Sequence, residues 1–289
     1  MRHVVLNTGC SMPILGLGTF RITGSEQMRK TLEAALSSGY RSIDTASVYR
    51  NEKDIGDSLQ ELLPKFGLSR KDLFITSKLA PRDQGSEKCR QACLKSISDL
   101  QCGYLDLYLI HWPGAQGFQH SDDGNRTLRR QSWEEMQKMH QEGLIKSIGV
   151  SNYTPRHMEE LLQNSDICPA VLQIEHHPHL IQHELVKMCR SKGILFQAYS
   201  SLGTTSDTNK LLSDPAVKAV AAQKKKTVAQ VLLRWAVQQG IGVIPKSTNP
   251  SHIRENMDIF DMELMQEEMQ TLNSLDTQKH YCWDPNTIT

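Results

Sequence analysis

Four polar side chains in the first half of the chain lie in or just after short apolar runs: Asp44, Tyr49, Lys78 and His111. A tyrosine beside a buried ammonium group is expected to have a pKa below its usual value of about 10, which suits it to donate a proton. A histidine N–H near it can bind the negative charge that grows on a carbonyl oxygen as hydride arrives. These residue types together predict reduction of a carbonyl group, with Tyr49 as the proton donor.

Lys78 is predicted to be buried, because it follows Phe74-Ile75-Thr76-Ser77 inside a strand pattern. An ammonium group in such a place is costly to desolvate unless a carboxylate pairs with it, and Asp44 is the candidate partner. Taken singly, each of these residues is more commonly a turn, cap or loop residue. The prediction therefore depends on the set.

The elements that would position these side chains alternate along the chain as short β-branched runs and longer amphipathic stretches, a pattern typical of βα units around a parallel sheet. Strands are predicted at residues 14–17, 42–44, 73–77, 105–110, 145–150, 171–174, 195–198 and 242–244. Helices are predicted at residues 26–38, 52–63, 87–100, 132–141, 155–164, 184–192 and 227–239, with extra ones at 214–224, 251–256 and 262–275.

Eight such units favour an α/β fold of the (β/α)8 TIM-barrel type, in a single domain over residues 1–289, with an N-terminal hairpin at residues 3–10 and extra C-terminal helices. Periodicity alone leaves an open doubly wound sheet possible. Against it, Gly16 and Gly18 are followed by Thr19-Phe20-Arg21, which does not match the GxGxxG fingerprint of a dinucleotide-binding half. In a barrel, the polar residues that follow the strands collect at one end, where active sites of this fold lie.

The composition predicts a small-molecule partner. With 33 basic and 32 acidic residues the net charge is +1, so no overall field attracts nucleic acid or an anionic membrane. Seven cysteines, an odd number, are expected to be reduced thiols. The N-terminal residues lack the apolar region of a signal peptide and no run of 18 apolar residues occurs, so a soluble cytoplasmic protein is expected.

The strand-end residues belong to an ordered series of motifs that spans the chain. The series reads GLGTF from Gly16, GYRSIDTASVYRNE from Gly39, ITSKL from Ile75, DLYLIHWP from Asp106, SIGVSNY from Ser147, LQIEHHP from Leu172, QAYSSLG from Gln197 and IPKS from Ile244. In this order and spacing the chain resembles the aldo-keto reductases over almost its whole length. The resemblance implies a catalytic tetrad of Asp44, Tyr49, Lys78 and His111, an NADPH cofactor and a monomer.

The resemblance also implies which residues hold NADPH. Ser151, Asn152 and Gln173 would bind the nicotinamide carboxamide, and Tyr199 would stack on the ring. Ser200 and Leu202 would run along the pyrophosphate, and Lys246 and Ser247 would meet the 2′-phosphate. The remaining cofactor contacts are predicted at Gly18, Thr19, His252, Glu255 and Asn256.

Three positions depart from the family pattern. His252 stands where an arginine commonly pairs with the 2′-phosphate, so the preference for NADPH over NADH is expected to be weaker, although Arg254 is near. Ala80 stands where a tryptophan often walls the substrate pocket, which predicts a wider mouth. Ser201 replaces a frequent proline and is expected to loosen the cofactor loop.

A C-terminal segment that is short beside that of steroid-handling relatives predicts small aldehydes or dicarbonyls as substrates. Phe20, Trp112, Phe118 and Trp283 are the candidates for an aromatic wall around the substrate, although each could equally be packing. Two alternatives stay open: a nucleotide-sensing or structural protein on the same barrel with little turnover, and a metal-dependent hydrolase using His176, His177 and His179. Adjacent histidines on an extended segment point to opposite faces, so no metal site is predicted.

Overall fold

Eight parallel strands form the centre of the molecule in a computed structural model that describes residues 2–204 and 210–289. Strands β3 to β10 follow one another around the sheet in chain order, and each hydrogen-bonds to the next in parallel. Their bounds are β3 Leu17–Gly18, β4 Ser42–Asp44, β5 Phe74–Leu79, β6 Leu105–Ile110, β7 Ile145–Ser151, β8 Val171–Glu175, β9 Leu195–Tyr199 and β10 Gly242–Val243.

The sheet closes on itself between its first and last strands. Leu15 and Val243 form a parallel bridge, the N–H of Gly16 donates to the oxygen of Val243 at 2.9 Å, and the N–H of Val243 donates to the oxygen of Ile14 at 2.8 Å. These bonds complete the ring, as in a (β/α)8 barrel. The predicted fold class is thereby confirmed, and the open doubly wound sheet is wrong.

A hairpin of β1 (His3–Val5) and β2 (Ser11–Pro13) covers the amino-terminal end of the barrel. Leu6 and Met12 are buried there against strand residues that include Phe74 and Leu107. The amide of Asn7 donates to the oxygen of Pro169 at 3.0 Å and ties the hairpin to the barrel. The predicted hairpin was placed too early, because its second strand lies beyond residue 10.

Ten helices surround the strands or extend the repeat in the described residues. The bounds are α1 Ser25–Ser37, α2 Glu52–Lys65, α3 Ser86–Asp99, α4 Gly124–Gln141, α5 Pro155–Gln163, α6 His183–Lys192, α7 Pro215–Lys224, α8 Val228–Gln238, α9 Pro250–Met257 and α10 Gln266–Asn273. Helix α4 begins eight residues before the predicted start at residue 132. Its first two turns bury Asn125 and Arg129, which bind neighbouring segments through polar groups, so an apolar periodicity does not reveal them.

All seven cysteine thiols are free in the described part of the chain. None of the helices in residues 2–204 and 210–289 is long and apolar enough to cross a membrane.

Candidate active site

The centre of the site is a buried ion pair at the carboxyl ends of two neighbouring strands. Asp44 ends β4, Lys78 lies near the end of β5, and the two side chains are 4% and 0% exposed. The ammonium group of Lys78 donates to Oδ1 of Asp44 at 2.5 Å and to the oxygen of Thr45 at 2.8 Å. Burial lowers the pKa of Lys78, but the charges and hydrogen bonds of Asp44 and Tyr49 together outweigh burial, and the pKa is raised overall. The sequence prediction that these two residues pair is confirmed by this geometry.

Tyr49 lies next to this pair, at the end of a short 3-10 helix, Ser47–Tyr49. Its hydroxyl is 3.5 Å from Nζ of Lys78, and its ring contacts the rings of Phe20 and His111 at 5.0 and 5.7 Å between centroids. Burial raises the pKa of Tyr49, and the Lys78 ammonium, which lowers it, offsets this effect in part. The expected lowering of the Tyr49 pKa is therefore wrong, and the hydroxyl keeps its proton at neutral pH.

His111 follows β6 and is held by its main chain, because its N–H donates to the oxygen of Leu79 at 3.1 Å. Burial, with the nearby Lys78 charge, lowers the pKa of His111 to about 3, so the imidazole is neutral at physiological pH. Its buried Nδ1 has no hydrogen-bond partner among the described residues. The ring is thus a neutral group at the wall of the site rather than a cation.

A hydrogen-bonded set of amides and hydroxyls lies on the opposite strands. Asn152, in the left-handed conformation with φ of 62°, donates from Nδ2 to the oxygen of His111 at 2.9 Å and accepts from the hydroxyl of Tyr199 at 2.6 Å. Gln173 donates from Nε2 to Oδ2 of Asp44 at 2.8 Å. The same Nε2 also donates to Oε1 of Gln197 at 2.9 Å. The hydroxyl of Ser151, at the end of β7, accepts from Nδ2 of Asn152 at 3.1 Å. The structure therefore brings all four predicted nicotinamide residues to the rim of the same end.

The other predicted cofactor residues lie in three places around the same end of the barrel. Thr19 is buried and donates from its hydroxyl to the oxygen of Asp44 at 2.9 Å, and Gly18 lies so close to Ile244 that an added Cβ would be 2.6 Å from its oxygen. Ser200 follows Tyr199 in the left-handed conformation, and Leu202 is half-buried. The third group follows β10: Lys246 and His252 are exposed, Ser247 and Glu255 are half-buried, and Asn256 is buried.

The four predicted substrate-wall aromatics are spread over the mouth. Phe20 contacts Tyr49, whereas Trp112 and Phe118 line a cavity of about 310 Å³ with Ile288. Trp283 is 74% exposed. A cavity of about 420 Å³ lies outside the barrel, against α6 and the end of α8, and contains none of the predicted site residues. Neither cavity is lined by Asp44 or Lys78.

Sequence reasoning assigned no contact to Glu175, which ends β8 beside Gln173. Its carboxylate is 1% exposed and accepts the main-chain N–H groups of Tyr281 and Cys282 at 2.7 and 3.1 Å. Its place at a strand end was the available signal. The partners are more than 100 residues away, in a segment without regular periodicity.

The His-rich stretch is part of the same region and shows no metal geometry. No group of three or more His, Cys, Asp or Glu side chains in residues 2–204 and 210–289 could hold a metal ion. His176 stacks on Trp235 at 4.9 Å, His177 lies 3.0 Å from Glu175, and His179 lies 2.7 Å from the hydroxyl of Tyr281. These imidazoles pack within the protein.

Comparison with known proteins gives the family. The family model described as "Aldo/keto reductase family" matches residues 14–277. The chain belongs to this family. It is 40% identical over 285 residues to the glyoxal reductase of Bacillus subtilis, covering 99% of this chain and 96% of that protein.

Two solved structures of aldo-keto reductases show the same fold. The Bombyx mori aldo-keto reductase, crystallised in complex with NADP, is 33% identical with a TM-score of 0.90, over 99% of this chain and 96% of that one. The aldose reductase of Schistosoma japonicum is 38% identical with a TM-score of 0.88, over 97% and 94% of the two chains. The chain is thus an oxidoreductase of the aldo/keto reductase family on a (β/α)8 barrel.

Proposed function

We propose that the chain reduces small aldehydes and dicarbonyls to alcohols with NADPH, and that Tyr49 is the general acid. The observation that supports this most is the buried Asp44–Lys78 pair, with Nζ of Lys78 3.5 Å from the Tyr49 hydroxyl. The glyoxal reductase name of one relative and the NADP complex of another agree with this chemistry.

In this proposal the carbonyl oxygen of the substrate binds between the Tyr49 hydroxyl and the His111 ring. The centroids of the Tyr49 and His111 rings are 5.7 Å apart. A neutral imidazole offers one N–H donor, which orients the oxygen without competing for its proton. The cofactor supplies a hydride to the carbonyl carbon when it is bound. The electron pair of the C=O bond moves to oxygen, and the oxygen takes the proton of the Tyr49 hydroxyl.

Lys78 and Asp44 act through Tyr49. When Tyr49 gives up its proton, the phenolate lies beside the Lys78 ammonium, which stabilises the new charge in a buried place. Asp44 holds that ammonium group in position through its Oδ1. The raised resting pKa of Tyr49 keeps the proton on the hydroxyl before the step, and the Lys78 ammonium, which lowers that pKa, reduces the cost of forming the phenolate.

The donor set at the rim fits the nicotinamide and phosphate groups of NADPH. The Gln173 amide and the Ser151 hydroxyl can pair with a carboxamide, and the Tyr199 ring offers a face for stacking. Lys246 is an exposed cation for the 2′-phosphate, with Ser247, His252, Glu255 and Asn256 nearby in sequence. Gly18, Thr19, Ser200 and Leu202 complete the proposed contacts.

The substrate wall in this proposal consists of Phe20, Trp112, Phe118 and Trp283. Ala80 is buried behind the mouth and provides no indole at a position where relatives often have one. We further propose that the protein acts as a single-domain monomer in the cytoplasm, with a small molecule as its partner.

The experiment is to follow NADPH absorbance with methylglyoxal and with an aromatic aldehyde, to identify the alcohol product, and to repeat both reactions with NADH. Consumption of NADPH with one alcohol formed per cofactor supports the proposal. Tight NADPH binding without turnover of any carbonyl would contradict it and favour nucleotide sensing.

A further inference from the structure

Residues 280–289 cross the carboxyl end of the barrel. Glu175 binds residues 281 and 282, near the start of this segment. Its Oε1 accepts the N–H of Tyr281 at 2.7 Å and its Oε2 accepts the N–H of Cys282 at 3.1 Å. One carboxylate therefore binds two consecutive main-chain groups. Hydrogen bonds to an ionised acceptor are stronger than neutral ones, so this attachment is a firm one.

Three histidines reinforce the attachment. His177 and His280 lie 3.0 and 3.4 Å from the Glu175 oxygens, and His179 lies 2.7 Å from the hydroxyl of Tyr281. Tyr281 is thus held by its main chain and by its side chain. The start of the segment has one defined position relative to β8.

The end of the segment is attached separately, by basic groups on α4 and α5. The main-chain oxygen of Ile288 accepts from Arg156 and lies 3.1 Å from Nε2 of His157, and the oxygen of Thr289 accepts from Arg129 at 2.5 Å. Between the two attachments, Trp283 is 74% exposed. The segment is therefore fixed at both ends, with a large apolar side chain between them.

The segment also contacts both proposed binding regions. The Cys282 thiol lies 3.3 Å from the hydroxyl of Ser200, which follows Tyr199 in the chain. At the other end, Ile288 lines the cavity that contains Trp112 and Phe118. Release of the segment at Glu175 would free Cys282 and Trp283 at the mouth, while Ile288 and Thr289 would stay attached to Arg156 and Arg129.

We propose that Glu175 is a positioning residue for substrate recognition: its carboxylate fixes residues 281–282 across the mouth and so determines which carbonyl compounds fit. Glu175 does not contact the reacting atoms in this account. The inference rests on the proposed carbonyl reduction. It assigns to Glu175 an effect on substrate affinity and selectivity, and none on the chemical step.

The direct test is Glu175→Gln, since it keeps the size and removes one of the two acceptor oxygens. The amide NH2 would face one of the two N–H groups and release it. We expect KM for an aromatic aldehyde to rise roughly tenfold, the size of one lost charged hydrogen bond, with kcat and the NADPH Kd within about twofold of wild type. The ratio of kcat/KM between methylglyoxal and the aromatic aldehyde should change. Glu175→Asp, which keeps both oxygens, should recover part of the affinity.

Glu52→Gln is the matched control, because Glu52 is also a buried carboxylate, held by the hydroxyls of Ser77 and Ser96 at 2.5 and 3.1 Å, without contact to the C-terminal segment. It should leave substrate selectivity unchanged. Equal selectivity in wild type and Glu175→Gln, or the same KM change in both variants, would overturn the inference.

Hydrogen exchange tests the attachment without turnover. In the wild-type protein the amides of Tyr281 and Cys282 should exchange at least tenfold more slowly than an unstructured chain, and faster in Glu175→Gln. Exchange at the unstructured rate in the wild type overturns the inference even if the enzyme reduces aldehydes. If no carbonyl is reduced, the proposed function fails, and with it the role of Glu175 in substrate selectivity. Slow exchange of the Tyr281 and Cys282 amides would still show that Glu175 attaches the segment.

Discussion

The Lys78 ammonium group and the Asp44 carboxylate lie 2.5 Å apart, from Nζ to Oδ1, with almost no exposure to solvent. Burying two charges is costly, and removing one partner leaves the other charge without compensation. The same ammonium group is 3.5 Å from the Tyr49 hydroxyl. One ion pair thus connects the stability of the barrel with the proposed chemistry, and the two effects can be separated by mutation.

Asp44→Asn should lower the free energy of unfolding by about 3 to 5 kcal/mol, because it leaves the Lys78 ammonium buried and unpaired. The double variant Asp44→Asn with Lys78→Met should recover most of that stability while reduction stays lost. Urea unfolding measures the first effect and NADPH oxidation the second. Asp57→Asn, at an exposed ion pair with Lys53, is the control and should change stability little. A double variant no more stable than Asp44→Asn would contradict the account.

His111 should remain neutral between pH 5 and pH 8. Burial and the Lys78 charge lower its pKa from 6.5 to about 3. The unfolded chain binds a proton at this imidazole more readily than the folded chain does. His111 therefore does not reduce the free energy of unfolding above about pH 6.5, and reduces it increasingly as pH falls toward 3. An NMR titration of the imidazole C–H signals, assigned with His111→Asn, should show no shift for His111 in that range. A midpoint near 6.5 would rule out the neutral ring.

The positions of Asp44, Lys78 and His111 in or just after strands could be predicted from sequence, because apolar runs mark strands and a charged residue inside one needs a partner. The raised pKa of Tyr49 could not, since it depends on how far burial exceeds the effect of the Lys78 charge. The hydrogen bonds from Tyr281 and Cys282 to Glu175 could not be predicted either, because their donors are main-chain N–H groups, which do not depend on residue type. Local patterns predict elements, whereas contacts between distant loops require the fold.

Glu175 should give the protein a distinct acid sensitivity. Burial alone raises its pKa, but the hydrogen bonds with His177 and the main chain and the nearby His280 outweigh burial and lower the pKa to about 2 from 4.5. The ionised Glu175 carboxylate therefore contributes about 3 kcal/mol to the free energy of unfolding above about pH 4.5, and this contribution is lost as pH falls toward 2. Unfolding of wild type and Glu175→Gln should be compared from pH 6 to pH 3. An unchanged stability difference over that range would contradict the lowered pKa.

His252→Arg should increase the preference for NADPH over NADH. His252 is exposed on α9, six residues after Lys246, and a guanidinium there can bind a phosphate with two hydrogen bonds. The Kd for NADPH should fall roughly tenfold, and the Kd for NADH should stay within about twofold. His183→Arg, an exposed histidine at the start of α6, controls for added charge. Equal changes for both cofactors would show that position 252 does not meet the 2′-phosphate.

The most direct test of the central proposal removes one oxygen atom from Tyr49. Tyr49→Phe is compared with wild type and with Tyr104→Phe, which removes a hydroxyl just before β6, at the opposite end of that strand from His111, while NADPH binding is measured separately by fluorescence. We predict that Tyr49→Phe lowers kcat for aldehyde reduction by about 10²- to 10⁴-fold, the usual contribution of a general acid, and leaves NADPH binding unchanged. Turnover by Tyr49→Phe equal to that of Tyr104→Phe would contradict a proton transfer from Tyr49.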